Sequence, residues 1–137
     1  MKIIICGSMS TAKQMVEIRD LLQQKGHQAV IPRNTEQYAL GKLSAEDHHE
    51  STKNKIEHDL IRDYYLAIKE ADAVVVANYD KGDIKNYVGG NSFLEAGFAH
   101  VLNKKLYFAN EIPNMIYSDE LKVFQPVIIN GDWSKIK

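Results

Sequence analysis

At 137 residues, with 45% hydrophobic and 26% charged positions, the chain has the size and balance of one globular domain. A disordered tail, a collagen-like rod and a disulfide-stapled miniprotein are excluded. Seventeen Lys and Arg stand against 18 Asp and Glu, a formal net charge of −1, so a surface built for a nucleic acid polymer is not expected. The single cysteine, Cys6, has no internal disulfide partner, which suits a reducing cytosol. The apolar runs 3–5 and 73–77 are far short of a bilayer span. Polar residues from Ser8 onward come too early for a signal-peptide apolar segment. The expected setting is cytoplasmic, with no membrane.

Residues 3–5 form a buried-strand run stopped by Cys6-Gly7-Ser8. A helix over 11–25 follows, with Met15, Ile18 and Leu22 at three-to-four spacing and Gly26 as its stop. Residues 28–31 read as a second strand closed by Pro32, and the polar stretch 33–51 is assigned no element. Over 52–70 the positions Ile56, Leu60, Tyr64, Ala67 and Ile68 make a second helical stripe. The strongest strand signal is 71–78, apolar on both faces as in a parallel sheet covered from both sides. A loop over 79–90, a helix over 93–102, a strand over 105–109 and a loop over 111–118 come next. A short helix over 119–124 and a strand over 127–129 complete the chain.

This β-α alternation predicts a single α/β domain over 1–137. Its expected form is doubly wound, Rossmann-like or flavodoxin-like, with five parallel strands and helices on both faces. In such sheets a ligand sits beyond the carboxyl ends of the strands, near the point where strand order reverses. Three loops are selected in this way: 7–10, 78–91 and 110–117.

In Gly7-Ser8-Met9-Ser10 the glycine permits close backbone approach, and the following helix offers amide donors to an anion. The hydroxyls of Ser8 and Ser10 suit phosphate or sugar oxygens. The segment has neither the Gly-Lys-Ser/Thr of a Walker loop nor G-x-G-x-x-G. It reads equally as a tight strand–helix turn with Ser10 or Thr11 as N-cap. In 78–83, Asn78 or Asp80 can hydrogen-bond a sugar or base and Tyr79 can stack on a base. Asp80-Lys81-Gly82 also makes an ordinary turn. Lys81 and Lys85 suit a phosphorylated substrate.

In 88–97, Gly89 and Gly90 enter a helix, Asn91 follows, and Glu95 is expected in the first turn. A carboxylate there can attack an anomeric carbon and form a covalent glycosyl-enzyme. Ser92-x-x-Glu95 is also a capping box, with Glu95 satisfying its own helix start at the positive end of the dipole. Spacing alone favours the cap. Glu46-Asp47-His48-His49-Glu50 lacks the spacing of converging ligands and reads as a solvated face, so no metal is expected. Cys6 has no Cys-His-Asn pattern around it and reads as a packed thiol.

Taken together, these segments resemble the nucleoside 2-deoxyribosyltransferase family and its relatives, the deoxynucleoside 5′-monophosphate N-glycosidases. The opening Ile-Cys-Gly-Ser resembles the hydrolases' first loop, and Ala71-Asp72-Ala73-Val74-Val75-Val76-Ala77 the family's third strand. Gly89 to Gly97, continued by Phe98-Ala99-His100-Val101-Leu102-Asn103-Lys104-Lys105, is similar to the glycine loop, nucleophile helix and lysine-led fourth strand. The likeness spans nearly all of the chain except 33–51, and Glu-x-Gly is its specific part.

The resemblance implies that Glu95 is the nucleophile in cleaving the N-glycosidic bond of a 2′-deoxynucleoside or its 5′-monophosphate, by hydrolysis or base exchange. It implies no cofactor, a small nucleoside or nucleotide as partner, and a homodimer or higher homo-oligomer. In that family C-terminal segments contact ligand across the subunit interface, a role open to Asn130-Gly131-Asp132, which otherwise reads as a turn. Candidate substrate contacts are Gly7, Ser8, Ser10, Asn78, Tyr79, Gly89, Gly90 and Asn91.

Two departures stand out. The transferases carry an aspartate six residues before the nucleophile, where this chain has Gly89, which fits the hydrolases better. The acid that helps protonate the leaving base corresponds to Asp63, one residue out of register, with Tyr64 nearer to it and Asp59 one turn earlier. These departures leave open a non-catalytic nucleotide-binding or sensing module. A phosphoribohydrolase-like Gly-Gly-x-Gly-Thr-x-x-Glu is approached less well, because 89–95 is one residue shorter and lacks the third glycine.

Overall fold

β-Branched runs bury best on a pleated surface, and all five become strands of one sheet. The structure is a computed structural model that describes residues 1–42 and 59–137. The expected helical positions before 59, Ile56 among them, and the charged cluster 46–50 lie outside the described residues. In chain order the elements are β1 (Lys2–Cys6), α1 (Ala12–Gln24), β2 (Gln28–Val30), α2 (Thr35–Ala39) and α3 (Leu60–Lys69). Then come β3 (Ala73–Val76), α4 (Gly90–Val101), β4 (Lys105–Phe108), α5 (Ser118–Val123) and β5 (Val127–Ile128). The strands run in the order β2-β1-β3-β4-β5, all parallel. This is the doubly wound α/β arrangement expected from the sequence.

Side-chain alternation divides the core into two halves. Ile3 and Ile5 of β1 and Ala73 and Val75 of β3 face α1, where Met15, Ile18 and Leu22 cover them. Ile4 and Cys6, with Val74 and Val76, face the other way and pack beneath Ile68 of α3, Ala96 and Ala99 of α4 and Leu121 of α5. The register joins the halves: Ile4 pairs with Val30 and Val74, and Val76 with Cys6 and Phe108. Each fully buried Leu or Ile contributes about 1.5–3 kcal/mol, so both faces must be filled.

Three local differences from the sequence reading have physical causes. The unassigned stretch contains α2, whose Thr35 hydroxyl donates to the Pro32 carbonyl at 2.6 Å and whose Glu36 accepts from Arg19 of α1. A 3-10 turn over Met9–Thr11 precedes α1. Helix α4 begins at Gly90, three residues before the expected start, because Gly89 already serves as its N-cap. Among the described residues, no helix is long and apolar enough to cross a membrane.

Candidate active site

After β1 the chain turns to one face of the sheet and after β3 to the other, so a crevice opens between their carboxyl ends. Gly7 lies where β1's exit crosses β3's. A Cβ there would sit 3.1 Å from the Ala77 carbonyl oxygen and 3.2 Å from the Ala77 Cβ, so glycine is what lets the two loops touch. Thr11 stands at the N-cap position of α1, as one of the two expected residues, without a side-chain capping bond, and Ser8 caps the 3-10 turn before it. The Ser8 Oγ accepts from the Ser10 amide at 3.4 Å, the Ser10 hydroxyl at 3.0 Å and Lys81 Nζ at 3.4 Å.

Lys81 reaches this position from the loop after β3 and also lies 4.9 Å from the centroid of the Tyr87 ring. Its loop is well organised. Lys81 and Ile84 exchange backbone hydrogen bonds of 2.9 and 3.0 Å, and the Asn86 amide donates to Asp80 Oδ1 at 2.9 Å. The turn expected at Asp80-Lys81-Gly82 is therefore present, and it delivers the ammonium to the serines of the first loop.

Asn78 and Tyr79 take less direct places. Asn78 is fully buried, and its Nδ2 donates to the carbonyls of Asn110 and Glu111 at 2.9 and 3.0 Å. Its Oδ1 accepts from the Asn110 amide at 2.9 Å, and Asn110 Nδ2 donates back to the Asn78 carbonyl at 2.9 Å. Both amide protons are committed to tying β3 to the loop after β4. Asn78 thus shapes the crevice through the backbone. Tyr79 continues the alternation of Ala73, Val75 and Ala77 and packs on the α1 side. Burial, then the charge of Glu17, pushes its phenol up.

The start of α4 corrects the capping-box reading. With Gly89 as N-cap and Gly90 the first helical residue, Ser92 is third and Glu95 sixth. A capping box needs its glutamate at the third position, so Glu95 belongs to the second turn and does not close its own helix. Ser92 (3% exposed) and Glu95 (6% exposed) instead lie on the buried stripe of α4 with Ala96 and Ala99. Gly89 packs against Tyr87, whose ring would stand 3.2 Å from an added Cβ. Gly90 has open space around it, and Asn91 is half-buried behind it.

The stripe faces Cys6 at the end of β1. Burial pushes the Cys6 thiol well up, the charge of Glu95 pushes it further, and a hydrogen bond with Ser92 opposes them. A thiol held neutral in this way is a poor nucleophile. Native protein at pH 8 is therefore expected to react with iodoacetamide at least about 100-fold more slowly than the unfolded chain, as mass spectrometry of a quenched time course would read. Equal rates would mean that the wall around Glu95 is open.

From α3, half-buried Tyr64 faces the same carboxylate: burial raises its phenol first, then Glu95, then Asp63. Asp63 is exposed on the adjoining face of the helix. Asp59 is also exposed, and its carboxylate pairs with Arg62 at 2.5 Å. The structure thus brings together Glu95, Ser92, Cys6 and Tyr64, and separately Ser8, Ser10, Lys81 and Tyr87. Asn130 donates to Glu111 Oε1 at 2.7 Å within a turn of left-handed residues, Asn130 and Gly131.

Sequence reasoning missed Tyr117. It stacks on Phe93 with centroids 4.5 Å apart and an interplanar angle of 9°. Its hydroxyl donates to the Val88 carbonyl, which pins the approach to α4. An aromatic in a loop carries no sign of its partner 24 residues away, so no signal in the sequence could have found it.

Two cavities lie apart from this cluster. One of about 360 Å³, lined by His100, Lys104, Lys105 and Phe124, is at the amino end of β4, the opposite edge of the sheet. The other, of about 230 Å³, lies between Phe93 of α4 and Val123 of α5. Among the described residues, no group of three or more His, Cys, Asp and Glu side chains converges as a metal site. A scan against models of protein families finds none that matches the chain, and a search of curated proteins finds no match.

Proposed function

We propose that the protein cleaves the N-glycosidic bond of a 2′-deoxynucleoside 5′-monophosphate, or of the parent 2′-deoxynucleoside, with Glu95 as the nucleophile. The observation that carries this reading is a glutamate only 6% exposed, in the second turn of α4 at the ligand-binding edge, where it does not cap its helix. Glu95 attacks C1′ from the face opposite the base, and the C1′–N bond breaks as the ester forms. Water then displaces the carboxylate, or a second base does so in a transfer reaction. Two displacements give net retention, and the scheme draws on no cofactor.

The monophosphate is preferred because of the Ser8, Ser10 and Lys81 group. One ammonium and two hydroxyls suit a dianion better than a neutral 5′-hydroxyl. Lys81→Ala is expected to raise KM for deoxynucleoside monophosphates about 10- to 100-fold, the value of one charge-assisted hydrogen bond, with less than about a threefold change for deoxynucleosides. Steady-state kinetics on both series would decide, and equal effects would remove the phosphate from this position. The reading also places the protein in the cytoplasm as a homo-oligomer, and exposed Leu94 and Val101 on α4 offer apolar surface for a second copy.

The test of the activity is chromatographic. Purified protein is incubated with a panel of deoxynucleosides and their 5′-monophosphates, with and without a free competing base. Base release supports hydrolysis and base exchange supports transfer. Binding without turnover anywhere on the panel would replace this reading with that of a nucleotide sensor.

A further inference from the structure

We propose that Tyr64 of α3, rather than Asp63, is the catalytic residue that donates a proton to the departing base. This inference rests on the glycosidase reading above and assigns its second catalytic group.

The argument begins with helix phase. Ile68 is fully buried in the half-core that also holds Ala96 and Ala99 of α4. Tyr64 is one turn earlier, on the same face. Helices α3 and α4 pack against each other, with Tyr65 and Phe98 in edge-to-face contact at 5.4 Å. Because α3 precedes a parallel strand, it runs from the carboxyl edge of the sheet toward the amino edge, and its neighbour α4 also starts at the carboxyl edge. Both therefore run in the same direction, and Tyr64, next to Tyr65, and Glu95, about one turn before Phe98, lie near the Tyr65–Phe98 contact on adjacent walls. Asp63, rotated by about 100° around the helix, is exposed.

The electrostatics agree with this geometry. Burial and the nearby Glu95 charge both hold the Tyr64 phenol in its neutral, donating form. When Glu95 bonds to C1′ its negative charge is consumed in the ester. Burial still favours the neutral phenol, but the part of the upward push that came from the Glu95 charge is relieved as the base leaves with the electron pair of the C1′–N bond. The Tyr64 proton then passes to the base. In the second half, water attacks C1′ and gives a proton to the phenolate while the Glu95 carboxylate departs. Both side chains return to their starting forms.

The test compares wild type, Tyr64→Phe and Asp63→Asn on two substrates. One is the preferred deoxynucleotide of the panel, and the other is the 4-nitrophenyl glycoside of 2-deoxyribose 5-phosphate, whose leaving group needs no proton. Tyr64→Phe keeps the ring and hence the packing. It is expected to lower kcat for base release by about 100-fold or more, the value of one acid catalyst. Nitrophenolate release should change by less than about threefold, with KM little altered on either substrate. Equal losses on both substrates would reduce Tyr64 to a packing residue, and no loss would make it a spectator; each overturns the proposal. A leaving-group-dependent loss in Asp63→Asn alone would also overturn it and return the role to Asp63. Failure of the wild type to release base or nitrophenolate would reject the glycosidase reading itself, a result distinct from a working enzyme indifferent to Tyr64→Phe.

Discussion

Glu95→Gln is expected to leave the protein folded and able to bind nucleotide while base release falls by roughly 10⁴-fold or more, as when a covalent nucleophile is removed. Glutamine keeps the shape that Ala96, Cys6 and Ser92 pack around, but its neutral oxygen cannot form the glycosyl ester. Glu95→Ala gives a sharper result. It opens room for a small anion where the carboxylate stood, so added azide should restore turnover. One displacement now replaces two, and the sugar product should be an azide of inverted configuration. Proton NMR of the anomeric centre reads this directly. Restored turnover with retention, or an unimpaired Glu95→Gln, would remove Glu95 from the reacting atoms.

The second large effect falls on stability. Asn78→Ala should lower the unfolding free energy by about 2–4 kcal/mol, because it empties a fully buried side-chain position and removes the partner of one amide and two carbonyls in part-buried hydrogen bonds. Those groups belong to Asn110 and Glu111, and the Asn78 side chain meets all three. Asn78→Asp should fare no better, since a carboxylate would face two carbonyl oxygens. Urea denaturation should show a lower midpoint with an unchanged slope. A loss below about 0.5 kcal/mol would mean that water takes over the Asn78 contacts.

How far the sequence carried the interpretation depended on the scale of the interaction. The runs Ile3-Ile4-Ile5 and Ala73-Val74-Val75-Val76 announced strands covered on both sides because every residue in them is hydrocarbon, and burial follows from that alone. Helix α2 was illegible: five residues with no apolar stripe are held by Thr35 on Pro32 and Glu36 on Arg19, and such contacts leave no periodicity. The pair of glycines before Asn91 was legible as a helix entry, but the expected start was residue 93, whereas Gly89 caps the helix and Gly90 begins it. That three-residue shift moved Glu95 from its own helix end into the wall of the crevice.

Asn78 was legible as a hydrogen-bonding residue but not in its partners, which are 32 and 33 positions away. Asp63 and Tyr64 are neighbours in the chain, and only the rotational phase of α3 against α4 tells which one faces Glu95. Chemical type was readable from one dimension. Orientation was not.

The division of the core into two halves has a practical consequence. Ser92, Cys6, Tyr64 and Glu95 all hang from the side that α3 and α4 cover, while Met15, Ile18 and Leu22 bring only apolar, non-titrating side chains to the other. The sheet insulates one set from the other. Volume-conserving exchanges beneath α1 thus give an engineer a dial for thermal robustness that does not pass through the reacting groups, and durability and chemistry in this small protein become separately adjustable traits.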